Sequence, residues 1–422
     1  MNVSVSGQVN DRIDSGGVVV VGFIPLLDCA PLIVAAEKGF ARDEGIDLTL
    51  VRETSWANIR DRVVVGHFDA AHMLGPMAIA STLGIGHLQV PMVAPFSLGL
   101  GGNAITVSTA LWQQMTIAGA VVGADPRLHG QALRHVVKAR EKARKTPLTF
   151  AMVYPFSCHN YELRYWLAAA GIDPDTDVRL VVLPPPLLVD AMREGQIDGF
   201  CVGEPWNSLA VSVSVGCIVT PTTAIWRLSP EKVLGCRLEW TQRYPERLSA
   251  LIRALYRASL WCEQPSNHPE LARLLAEPRY VGAPVDILLR GLSNQLCLVP
   301  SGSAHPVKDF YVPARQAATF PWTSHASWFY SQMVRWKQVE FSVAHLAAVR
   351  ATYRPDLYRA ALAPLNVDVP MDDAKVEGAN AGELVSSTGK LQYGPDGFFD
   401  NRIFDPEDLG AYVPEIGPRS GR

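Results

Sequence analysis

One strand–helix unit occurs twice in this chain, and that repetition limits the folds open to it. The first copy predicts a strand over 18–24, a helix over 31–40, a strand over 46–52, a helix over 56–66 and a strand over 68–74. The second predicts strands over 148–153, 178–183 and 197–202, with helices over 158–170 and 187–194 between them. Both copies close on a glycine, one or two residues, an aspartate and a small residue: Gly66-His67-Phe68-Asp69-Ala70 and Gly195-Gln196-Ile197-Asp198-Gly199. Apolar strands alternating with amphipathic helices make parallel sheets covered on both faces. Two such units predict an α/β fold of two lobes with a cleft between them, and ligands of open α/β sheets sit at strand ends facing such crevices.

The chain has the length and composition to build both lobes. Its 422 residues are 48% hydrophobic and 19% charged, which suits two core-bearing domains and excludes general disorder. The boundaries read as 18–108 for the first lobe, with a strand at 103–108 closing it, and 109–220 for the second. A return part of the first lobe follows over 221–345, and a partly irregular C-terminal extension over 346–422. The basic stretch 134–145 reads as a solvated helix or linker.

A formal net charge of −3 gives no general basis for holding nucleic acid or an anionic membrane. If the chain governs RNA, a partner makes the contact. The seven cysteines are scattered without C-x-x-C pairs, which argues against a zinc ribbon or disulfide framework and for reduced thiols. Residues 1–17 are polar where a signal peptide is apolar, and 18–27 is about half a membrane span. Asp28 is wrong for the small residue of a lipoprotein cleavage box. A cytoplasmic location is therefore expected.

Two short stretches carry the candidate chemistry: Ser157-Cys158-His159-Asn160 and Cys201-Val202-Gly203-Glu204-Pro205-Trp206. With Ser157 as a helix cap, His159 falls in the first turn beside free N–H groups, a place for a small anion. It equally reads as a histidine bonded to backbone. Gly203 permits close backbone approach at a strand end, or makes a simple turn. Trp56, at another helix start, offers an indole N–H and a flat wall, or serves as core. Lys232 is ordinarily solvated surface; in the cleft it is a lone charge with few acids around it, a counterion for a monoanion. His67 and His72 fall on opposite strand faces, so no metal pair is expected. No phosphate loop, dinucleotide fingerprint or nucleophile elbow is present, and no cofactor is expected.

Together with Pro31–Phe40, Ser55–Asp61, Ala71–Leu74, Pro184-Pro185-Pro186, Pro230–Gly235 and Ala318–Trp336, these stretches resemble the nitrate- and bicarbonate-binding receptors of ABC importers, the NrtA/CmpA type. The resemblance covers most of residues 18–340. It implies a type II periplasmic-binding-protein-like fold and a nitrate or nitrite site on Trp56, His159, Gly203 and Lys232. Asn103 is the candidate to complete it, where the family pattern leads one to expect glutamine. In the bicarbonate branch an acidic residue and calcium replace the lysine, so Lys232 points to nitrate or nitrite. Without an export signal, the chain is similar to the cytoplasmic NasS-type sensors. These sequester a NasT-like ANTAR antiterminator and release it on ligand binding, so that nitrate-assimilation genes are transcribed. The alternative is the substrate-binding component of an importer. The thiamine pyrimidine-precursor synthases resemble the same fold superfamily, but their cysteine cluster is missing, so no enzymatic activity is expected.

Overall fold

In the computed structural model, which describes residues 17–409 and 412 apart from 87, 380 and 381, the two repeats become two five-stranded sheets. The polar N-terminal stretch, His87 and residues 413–422 of the C-terminal extension lie outside the described residues. The chain runs β1 (Val18–Phe23), α1 (Ala30–Glu37), β2 (Asp47–Arg52), α2 (Trp56–Val64), β3 (Ala70–Leu74), α3 (Gly75–Leu83) and β4 (Met92–Val93). It continues through β5 (Asn103–Ser108), α4 (Pro126–Lys142), β6 (Thr149–Met152), α5 (Cys158–Ala169), β7 (Arg179–Val182), α6 (Leu188–Arg193), β8 (Gly199–Gly203) and β9 (Gly216–Pro221). It returns through β10 (Lys232–Arg237), α7 (Pro245–Glu263), α8 (Thr323–Arg335), α9 (Val343–Thr352) and α10 (Pro355–Leu362).

The first sheet has the order β2-β1-β3-β10-β4 and the second β9-β5-β8-β6-β7. Within each repeat the pairings are parallel, β1 with β2 and β3, and β6 with β7 and β8. The strands that carry the chain between lobes are antiparallel: β10 against β3 in the first sheet, β5 against β8 and β9 in the second. The strand β5, read from sequence as the close of the first lobe, thus pairs within the second sheet. Periodicity marks an apolar strand but does not say which sheet it joins.

The repeated aspartate has a physical role. Asp69 accepts from the Val20 N–H through its side chain at 2.8 Å and donates its own N–H to the Val20 carbonyl at 2.9 Å. Asp198 does the same to Thr149, at 2.8 and 2.7 Å. In each lobe it completes the pairing of the central strand just before the third strand begins, where a bare loop would leave a backbone N–H unsatisfied.

The helices begin where side-chain caps satisfy their free N–H groups. Ser55 Oγ accepts from Asn58 at 3.2 Å, and Ser157 Oγ accepts from Asn160 at 3.1 Å. Gly171, at φ +75°, takes the left-handed turn after α5. The basic stretch lies largely on α4, whose other face buries His129, Leu133, Val136 and Val137. Helices α9 and α10 pack on α3 and α7 of the first lobe. The irregular remainder reaches the second lobe through Tyr165, which lies 5.8 Å from the Phe398 ring and donates to Asp400 at 2.8 Å, while Phe398 also stacks on Trp226 at 4.6 Å.

Candidate anion-binding site

The five residues singled out from sequence all lie buried between the sheets. Trp56 opens α2 and His159 is the second residue of α5, each helix start fixed by its serine cap. Lys232 opens β10, while Asn103 and Gly203 are register partners on β5 and β8. The Lys232 ammonium lies 5.5 Å from the centre of the Trp56 ring. A Cβ on Gly203 would stand 3.2 Å from Asn103 Oδ1, so glycine there keeps that oxygen uncrowded. His67 is exposed and lies before β3, while His72 is buried on it, so the two do not share the strand that the sequence reading assumed.

Lys232 is not the lone charge expected from sequence. It is 1% exposed, which removes the solvated-surface reading, and two carboxylates hold it. Its Nζ donates to Asp28 Oδ2 at 2.9 Å and to Glu231 Oε2 at 2.6 Å. His72 Nε2 lies 3.0 Å from the other Asp28 oxygen. Glu231 also accepts from the Cys158 thiol, and its Oε1 lies 3.6 Å from His159 Nε2. Asp28, His72, Cys158, Glu162 and Glu231 therefore belong to the site although sequence reasoning did not select them. Asp28, in the 3-10 turn between β1 and α1, carried no signal in its spacing; Glu162, one helical turn after His159, carried one.

Burial and charge set the protonation states. Burial alone would raise Asp28, but Lys232 and His72 outweigh it and hold the carboxylate below its usual range, ionised. Burial would lower Lys232, but Asp28, Glu231 and Cys158 more than offset it, so the ammonium stays protonated. Burial, and then the nearby Lys232 charge, push His159 well below its ordinary value, and burial likewise lowers His72. Both rings are neutral. Burial raises Glu231 against the pull of Lys232. Glu162, which accepts from Asn103 at 3.4 Å, is pushed up to about 8 by burial first and by Glu231 second.

Several polar atoms here have no hydrogen-bond partner: Trp56 Nε1, His159 Nε2, Asn103 Oδ1 and Glu162 Oε1. Buried polar groups are ordinarily satisfied, so this concentration marks a place where a small polar molecule completes the structure. The donor atoms Trp56 Nε1 and, in the Nε2–H tautomer, His159 Nε2 suit an oxyanion. Cys158, His159 and Glu231 also bring three metal-competent atoms within 4.8 Å of one another, but the Lys232 ammonium already supplies a positive charge on that carboxylate.

The lobes meet around these residues. Leu27 N–H donates to the Glu204 carbonyl at 2.8 Å, Trp206 Nε1 to the Pro25 carbonyl at 3.2 Å, and Arg60 to the Tyr154 hydroxyl at 2.8 Å. Glu204 itself is buried, accepts from Ser208, and is raised to about 7 by burial.

The sequence profile of the NMT1-like family matches residues 17–276. The nitrate/nitrite binding protein NrtA of Synechococcus elongatus is 34% identical over 408 residues, covering 94% of this chain and 85% of that protein. The chain belongs to the NMT1-like family. Within it, it is of the NrtA/CmpA nitrate/bicarbonate-binding type. The crystal structure of periplasmic NrtA from Synechocystis PCC 6803 superposes with a TM-score of 0.83 at 28% identity, covering 95% of this chain and 99% of that one. The fold is accordingly the two-lobed periplasmic-binding-protein-like α/β fold. The nitrate import ATP-binding protein NrtC of Synechocystis sp. is 38% identical over 399 residues, 93% of this chain. The chain spans about half of that relative's length, 54%.

Proposed function

We propose that this chain is a nitrate or nitrite receptor whose ligand sits between the lobes on Trp56, His159, Gly203 and Lys232, with Asn103 at its edge. The observation that carries this reading is the pair of unpartnered buried donor atoms, Trp56 Nε1 and His159 Nε2, beside a buried ammonium. The names of the relatives NrtA and CmpA support an inorganic oxyanion as the ligand class. Lys232 in place of an acidic residue favours the nitrogen oxyanions over bicarbonate. Nitrate has four non-hydrogen atoms; at a ceiling of about −1.5 kcal/mol each, binding reaches roughly −6 kcal/mol, a Kd of tens of micromolar.

In this reading the chain works in the cytoplasm as a sensor that sequesters a NasT-like ANTAR antiterminator and releases it when the anion binds. Its seven unpaired cysteines suit a reducing compartment. No helix among the described residues is long and apolar enough to cross a membrane. Release follows only from the anion's differential affinity for free and partner-bound chain. The second reading, the binding component of a nitrate/bicarbonate-type ABC importer, is favoured by the identity to NrtC and NrtA.

Calorimetric titration with nitrate, nitrite and bicarbonate at matched ionic strength tests the ligand. Micromolar binding of a nitrogen oxyanion with bicarbonate silent is expected; no heat from either nitrogen oxyanion overturns the assignment. Co-purification with the ANTAR protein, and its release by nitrate, then separates sensor from importer. Nitrate binding without any antiterminator contact selects the importer.

A further inference from the structure

At the far end of the helix that presents His159 lies a second cavity, of about 610 Å³, which the anion site does not use. The C-terminal end of α5 and the turn after it, from Ala168 to Pro174, form one wall. Arg134 of α4 lines it from the second lobe, Arg335 and Trp336 at the end of α8 from the first, and Asp400 and Arg402 from the C-terminal extension. With α5 rising about 1.5 Å per residue, the nine residues from His159 to Ala168 put the cavity roughly 14 Å from His159 along one rigid element.

Three guanidiniums line the cavity against two carboxylates, Asp400 and the exposed Asp173. Among the described residues, neither Arg134 nor Arg335 has a carboxylate within ion-pair distance. Arg335 Nε is buried without a hydrogen-bond partner. The Arg335 guanidinium is held between aromatic faces, 5.2 Å from the Tyr165 ring and 4.6 Å from that of Trp336. Arg402 has only Asp400, at 3.6 Å, and Asp400 already accepts from the Tyr165 hydroxyl. The last-turn carbonyls of α5 and α8 attract these cations, but a helix end carries only about half a charge. They do not supply the bidentate oxygen pairs that a guanidinium fork fits. Burial lowers Arg335 to about 10, as expected for a cation short of counter-charge.

We propose that this cavity is a second ligand site, for a polyvalent oxyanion bearing phosphate or carboxylate groups, held by Arg134, Arg335 and Arg402. The pocket is far larger than nitrate needs, and its three guanidiniums outnumber its two carboxylates, Asp173 and Asp400, which leaves donor forks for the oxygens of a ligand that bridges them. Such a ligand touches both lobes and the C-terminal extension at once. The site stands apart from the nitrate assignment and does not depend on it.

Inorganic pyrophosphate and citrate serve as the phosphate and carboxylate probes. Each is titrated into the full-length chain and into the Arg335→Gln and Arg134→Gln variants at physiological ionic strength. Saturable binding of either probe is expected, weakened at least about tenfold in both variants. Pyrophosphate binding alone points to a phosphorylated ligand, citrate binding alone to a polycarboxylate. Arg134 is exposed, so its variant keeps the test valid if Arg335→Gln fails to fold; the urea-unfolding midpoint of each variant decides that. Absence of binding by both probes, or binding that Arg134→Gln and a folded Arg335→Gln leave intact, overturns the proposal. Neither result bears on nitrate, whose titration is read separately.

Discussion

His159 Nε2 lies 3.6 Å from Glu231 Oε1, a contact that joins the first turn of α5 in one lobe to the residue preceding Lys232 in the other. The neutral ring and the Lys232 ammonium thus share one carboxylate, since Glu231 Oε2 accepts from Nζ at 2.6 Å. An incoming anion meets Lys232 as a member of a charged cluster. The cluster's balance governs both stability and binding.

Lys232→Met removes the ammonium paired with both Asp28 and Glu231 and leaves two buried carboxylates uncompensated. Breaking a buried ion pair from one side costs about 3–5 kcal/mol. Urea unfolding should register that loss, and Lys232→Met combined with Glu231→Gln should recover part of it. Nitrate titration should be silent in both variants. Full nitrate affinity in a folded Lys232→Met chain would remove the lysine from the site.

Glu162 gives a pH dependence of fixed sign. Its carboxyl is raised from 4.5 to about 8, so between those values the folded chain keeps a proton that the unfolded chain has lost. Stability therefore falls as pH rises through that window, by at most about 1.4 kcal/mol per pH unit from this group. Glu162→Gln cannot ionise and lacks this contribution. The stability of the wild type relative to the variant should shrink from about pH 5 to about pH 8 in paired urea titrations; a constant difference refutes the buried acid.

Ser157→Ala removes the acceptor for the Asn160 N–H and the bond from Ser157 Oγ to the Tyr154 carbonyl at 2.6 Å. Loss of a helix cap costs about 1 kcal/mol, up to about 2. Thermal unfolding should show the loss. Nitrate affinity should fall with it, because the first turn that orients His159 frays. Ser55→Ala is the matched test for Trp56, whose cap bond to Asn58 is 3.2 Å.

Asp198→Ala leaves the Thr149 N–H without its side-chain acceptor, and Asp69→Ala does the same to Val20. Each should lower stability by about 1–3 kcal/mol in urea unfolding, the cost of an unmet buried donor. These two aspartates also show what the sequence could carry. Their spacing after a glycine repeats because the local geometry repeats, so both lobes and both capped helices were legible. The acids around Lys232 were not: Asp28 reaches it from 204 positions away, through the parallel placement of β1 and β3 and the antiparallel return of β10. No periodicity encodes a contact made by sheet order. The placement of β5 escaped for the same reason, since its apolar pattern serves either sheet equally well.

Arg60 and Tyr154 offer a test of closure itself. The guanidinium on α2 donates to the phenol oxygen beyond β6 at 2.8 Å, linking the two lobes outside the charged cluster. Tyr154→Phe removes that acceptor and keeps the ring, which lies 6.0 Å from the guanidinium carbon. A hydrogen bond to a charged group contributes about 1.5–3 kcal/mol when buried, and the part-buried position of this one brings that nearer 1. If the anion binds by stabilising the closed arrangement, the variant loses about 1 kcal/mol of closure, and its nitrate Kd rises roughly fivefold. Small-angle scattering should then show a larger mean radius for the ligand-free variant, and saturating nitrate should return it to the wild-type value. An unchanged Kd with an unchanged radius would mean that the lobes stay closed without the anion. Ligand entry would then require local opening near Trp56 rather than movement of a whole lobe.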